Sequence, residues 1–69
     1  MTSALLHEIG EALFGPRWYT SLAAALAVNE RTVRRWAIGD GPIPDGIKAD
    51  LRQLLEQRRG ALSALLRRL

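Results

Sequence analysis

The sequence predicts an all-α chain of four helices, the last much longer than the rest. Two observations carry that reading. Apolar residues recur three and four positions apart, with no strand-like alternation, internal repeat or low-complexity segment. Helix stops and starts also fall at short intervals, at Gly15-Pro16, at Asn29, from Gly39 to Pro44 and at Asp45.

Each element follows from its own residues. Ser3 is placed to cap a first helix that carries Leu5, Leu6, Ile9, Leu13 and Phe14 on its apolar side, with His7, Glu8 and Glu11 toward water. Gly15-Pro16 ends it, because proline disfavours helical geometry in the residue before it and has no N–H to extend the ladder. A second helix is expected from Trp18–Thr20 to about Ala27. It is rich in alanine and leucine, so a neighbour can approach closely. Asn29 is a good cap for a third helix, Glu30 to about Ile38, which Gly39 stops.

Asp45 is expected to cap a fourth helix, placed at 45–69, with apolar positions at Ile47, Leu51, Leu54, Leu55, Leu62, Leu65, Leu66 and Leu69. Unbroken, it would be about 36 Å long at 1.5 Å per residue, more than a small three-helix core can cover. Gly60 costs roughly 1 kcal/mol against alanine in a helix interior and marks where a break could fall. Leu51, Leu55, Leu62, Leu65 and Leu69 follow coiled-coil spacing, with Arg58 where another apolar residue belongs. Leu55, Leu62, Leu65 and Leu69 are therefore candidates for a homodimer seam.

Sixty-nine residues suit one domain, 1–69, with a small core. An apolar content of 48% is generous for that size and points to cover by a second copy. The absence of cysteine excludes a disulfide staple, a zinc-thiolate site and thiol redox chemistry, and suits a reducing cytoplasm. The first residues have no basic region followed by an apolar run, and the nearly uncharged stretch from Trp18 to Asn29 is too short to span a bilayer. A cytoplasmic protein without a membrane partner is expected. His7 has no companion and the carboxylates are scattered, so neither a metal site nor a catalytic set nor a cofactor is expected, and no enzyme.

Ten basic against seven acidic residues give a formal charge of +3. Nine of the ten are arginine, with Lys48 the exception, and three of them crowd the third helix. At about 100° per residue, with Arg31 at zero, Arg34 falls near 300° and Arg35 near 40°, while Val33 and Trp36 fall near 200° and 140°. An apolar anchor thus backs a short arginine face, a shape suited to the major groove of DNA.

The pattern Leu22-Ala23-x-x-Leu26-x-Val28-Asn29-x-x-Thr32-Val33-x-x-Trp36-x-x-Gly39 resembles the helix-turn-helix of the lambda-repressor/Cro-like family of bacterial and phage regulators. The resemblance implies a four-helix bundle-like domain with its helix-turn-helix core at 18–39. A small residue, here Ala23, would let the two helices cross. The turn position after Leu26 is usually glycine in that family, and here Ala27 must take a left-handed conformation at a cost on the order of 1 kcal/mol.

Carried over by position, the resemblance implies that Glu30 and Arg31 meet base edges, with Arg35 one turn later and Arg34 reaching a base or a phosphate. Tyr19, Thr20, Asn29, Thr32 and Lys48 become phosphate candidates. Thr32 could instead bond back to its own helix. Glu30 could accept from a cytosine amine or pair with Arg34 four residues on, and the pairing is preferred. Trp18 and Trp36 are read as core.

The implied function is sequence-specific double-stranded DNA binding by a small repressor-type regulator. It would act as a homodimer on an inverted-repeat operator, without a small-molecule effector. Two alternatives remain, a protein-interaction module such as an antitoxin or phage inhibitor, and a non-specific nucleic-acid-binding protein.

Overall fold

The computed structural model describes residues 1–69 and is all-α, with the order α1 (Ser3–Phe14), α2 (Trp18–Leu26), α3 (Glu30–Ala37) and α4 (Asp45–Arg68). The first three pack on one another, and α1 also packs on α4. One cluster of Leu6, Trp18, Leu22, Ala23, Val33, Trp36, Ala37 and Leu51 forms the centre. Both tryptophans are buried, as their spacing predicts.

Three local expectations need correction. Thr2, not Ser3, caps α1. It is Thr2 that has the extended backbone, and its Oγ1 accepts from the Leu5 N–H at 3.1 Å. The helix thus starts at Ser3 and turns Leu6, Gly10 and Leu13 inward, while Leu5 is left partly exposed. His7 does not face water freely. It is half-buried, edge-on to Trp18 at 5.1 Å between ring centroids, and its Nε2 lies 3.1 Å from the Ala37 carbonyl. A carbonyl can only accept, so Nε2 carries the proton and donates. At α4, Pro44 occupies the cap position and offers no side-chain bond. Asp45 lies inside the first turn, where its carboxylate faces the positive end of the helix dipole.

The close seat of α2 on α1 depends on Gly10, where a Cβ would overlap the Trp18 indole. α2 stops at Leu26, and its cap Ala27 is the only non-glycine residue with positive φ (57°). The Val28 N–H bonds back to the Ala23 carbonyl at 3.0 Å and the Ala27 N–H to Ala24 at 3.2 Å. These two bonds satisfy carbonyls that the helix end would otherwise leave open, and they offset the left-handed strain. α3 closes in the same way at Gly39 (φ 77°), with the Asp40 N–H on the Arg35 carbonyl at 2.9 Å.

α4 runs unbroken through Gly60. Leu51 is its only fully buried side chain, and every residue from Leu55 onward is exposed. The molecule is accordingly elongated, 43 × 22 × 21 Å, with the end of α4 projecting beyond the core. No helix is long and apolar enough to cross a membrane.

Candidate nucleic-acid interface

The arginine face stands on a rigid mount. Asn29 begins α3 by accepting the Arg31 N–H on its Oδ1 at 2.8 Å, which fixes the helix start against the three-residue turn. Val33, Trp36 and Ala37 point into the core and are nearly inaccessible. With those three positions fixed, helical geometry turns Arg31, Arg34 and Arg35 outward, and all three are exposed. The His7 bond to the Ala37 carbonyl holds the other end of α3 to α1.

The three guanidiniums differ in their partners. Arg31 has no side-chain hydrogen bond or ion pair. Arg34 donates from Nη2 to Glu30 Oε1 at 3.1 Å, one turn earlier on the same helix. Glu30 Oε1 also accepts from the Thr20 hydroxyl at 3.0 Å, so a single carboxylate oxygen joins the start of α2 to the start of α3. Arg35 has Nε 3.7 Å from Asp40 Oδ2. Both ion pairs are well exposed, and such pairs contribute about 0.5 kcal/mol or less, so an incoming phosphate or base edge can displace them.

The remaining candidates fall into two groups. Thr20, Asn29 and Thr32 lie on or beside the mount. The Thr20 proton is already given to Glu30, Asn29 keeps its amide N–H groups free, and Thr32 makes no bond back to its helix. Tyr19 is half-buried, with its ring tilted against Trp18 at 4.4 Å, and its hydroxyl has no protein partner. Lys48 is separate from these. It lines a groove between α1 and α4 with Met1, Leu5 and Ile9, and no ion pair or hydrogen bond links it to the arginines. Of the proposed seam, Leu55, Leu62, Leu65 and Leu69 are all exposed, lying on one side of α4.

Two contacts at this site leave little or no signal in the sequence. The Thr20–Glu30 bond joins residues ten apart on different helices, and no periodicity signals it. The His7 clamp had a weak signal, since a histidine one residue after Leu6 lies at the edge of an apolar face.

Chemically, the surface offers planar, permanently charged donors on a fixed helix, with neutral donors around them. No group of three His, Asp or Glu side chains gathers in a metal-binding arrangement. The fold and site together define an all-α protein with an anchored arginine helix. The chain matches no protein-family model, no curated protein and no solved structure.

Proposed function

We propose that the chain is a sequence-specific double-stranded DNA-binding protein, a small repressor of bacterial or phage type. Its α2, turn and α3 act as a helix-turn-helix of the lambda-repressor/Cro-like kind. The single observation that carries this reading is the pairing of an exposed arginine face with a fully buried opposite face on one eight-residue helix. A merely solvated helix has no need of three guanidiniums on so firm a mount. A reading helix does, because bidentate bonds to guanine O6 and N7 require the donor's position to be fixed.

In this reading α3 lies in the major groove. Arg31, free of partners, reaches a base edge directly, and Arg35 exchanges Asp40 for a second. Glu30 holds Arg34 toward the flanking phosphate. Asn29 and the Tyr19 hydroxyl donate to the backbone, and Thr20 does so only by giving up Glu30. Thr32 and Lys48 add further phosphate contacts. Occupation of a promoter would then exclude polymerase.

Selection of bound duplexes from a random pool tests the proposal. A recurring motif is expected, and Arg35→Ala should cost about 1–3 kcal/mol on it while relaxing preference at one base position. Equal affinity for scrambled duplexes would instead identify a non-specific binder. The bare leucines of α4 favour a second reading, a protein-interaction module. Its binding would respond little to salt, whereas phosphate contacts weaken steeply as salt rises.

A further inference from the structure

The groove between α1 and α4 has apolar walls and one charged edge. Met1, Leu5 and Ile9 of α1 face Leu51 and Leu55 of α4 across about 370 Å³. Lys48, Arg52 and Arg59 also line it, against Glu56 alone. At about 100° per residue, with Leu51 at zero, Leu55 falls near 40°. Lys48, Arg59 and Arg52 fall near 60°, 80° and 100°, so at about 100° per residue they form a row along one side of the apolar line. All three are exposed, and none is in an ion pair or a side-chain hydrogen bond. The other nearby acids lie elsewhere. Asp50 belongs to a separate groove with Ala25, Leu26 and Ala27, and Glu8 is exposed on α1 outside the lining.

We infer that this groove binds an acidic amphipathic helix of another protein. The partner's apolar side chains enter between α1 and α4, and its carboxylates lie along the α4 edge, against Lys48, Arg52 and Arg59.

Three observations select this occupant. The first is charge. Three unpaired cations against one carboxylate favour an anionic partner. They also turn away the chain's own exposed arm, since 57–69 holds Arg58, Arg59, Arg67 and Arg68 and no acid. The second is shape. A flat bilayer surface can touch the exposed leucines from Leu62 onward, but Ile9 is half-buried inside the groove, where only a protruding side chain reaches.

The third is the backbone. An extended peptide docks by adding to the free N–H and C=O groups of a sheet edge, whereas both walls here are helices whose backbone groups bond internally. A helical partner satisfies its own backbone and needs only an apolar trough. From Lys48 to Arg59 the α4 wall runs about 17 Å, room for roughly three turns of such a helix. Apolar burial supplies most of the affinity, and the cation row selects acid over base and sets which edge faces α4. No residue of the α3 arginine face enters the argument, so it stands or falls apart from the DNA reading.

The test is titration of the full chain with a capped synthetic helix of about 18 residues, leucine along one stripe, glutamate along one edge and alanine elsewhere. Amide shifts are expected on Leu5 to Ile9 and Lys48 to Arg59. A peptide with lysine for every glutamate, and a scrambled peptide of the same composition, should bind at least about tenfold more weakly. Arg52→Glu/Arg59→Glu changes only exposed residues, so its circular dichroism spectrum should stay helical while its preference switches to the lysine peptide. Leu5→Glu should weaken the acidic peptide more than about tenfold. Equal binding of the acidic and lysine peptides, shifts confined to 62–69, or no shift at millimolar peptide would overturn the proposal. So would phosphatidylglycerol vesicles that bind the chain and are not displaced by the acidic peptide, which would assign the surface to a membrane.

Discussion

Gly10 and Ala27 show how far single residues set this structure, and their effects run in opposite directions. Gly10 is a helix-interior glycine that gives up roughly 1 kcal/mol of helix propensity, and it is retained where the Trp18 indole occupies the space of a Cβ. Gly10→Ala should therefore destabilise by about 1–3 kcal/mol through overpacking, read as a lower urea midpoint at unchanged slope. Ala27 holds a left-handed conformation that glycine adopts without steric cost. Ala27→Gly should raise stability by up to about 1 kcal/mol, and a loss in the same titration would show that the turn is not left-handed in solution. Asn29→Ala should cost about 0.5–2 kcal/mol, since the Arg31 N–H loses its acceptor.

At the scale of elements, α3 depends on contacts from both neighbours. Glu30 connects it to α2 through Thr20, and His7 connects it to α1 through the Ala37 carbonyl. Glu30→Gln should change stability by less than about 0.5 kcal/mol, because the Arg34 pair is exposed. If Glu30 only holds Arg34, the variant should bind duplex more tightly, with one carboxylate fewer near the phosphates. Weaker binding confined to sites with a cytosine at one position would mean that Glu30 reads that base. The helices themselves were legible from Gly15-Pro16, Asn29 and Gly39, and the anchors Val33 and Trp36 from their spacing.

What was not legible had specific physical causes. Thr2 and Ser3 have the same capping chemistry, so only the backbone angle decides between them. Asp45 follows Pro44, whose extended backbone starts the helix one residue earlier than the aspartate could. His7 looks solvent-facing on a helical wheel until Trp18 and Ala37 arrive from elsewhere in the chain. The arginine cluster was readable as a face. The Glu30–Arg34 pair was readable from its four-residue spacing, whereas the Arg35–Asp40 pair was not, because the turn at Gly39 creates it.

Over the whole molecule, a short globular head carries the arginine face, and α4 projects from it as a basic, leucine-lined arm. The formal charge of +3 is modest, so the proposed attraction for DNA rests on where the arginines lie more than on their excess. Binding to duplex should weaken linearly in log–log form as salt rises, with a slope near 0.9 per phosphate neutralised. Lys48→Ala should lower that slope by about one without altering sequence preference, if the lysine reaches a phosphate. An unchanged slope would leave Lys48 as part of the α1–α4 groove alone.

Amide chemical-shift mapping of the full chain during titration with a selected duplex tests the central claim most directly. The largest changes should fall on Asn29 to Arg35, with smaller ones at Tyr19 and Thr20, and they should disappear in Arg31→Ala/Arg35→Ala. Changes confined to 57–69, or a spectrum unmoved by DNA at low salt, would contradict it.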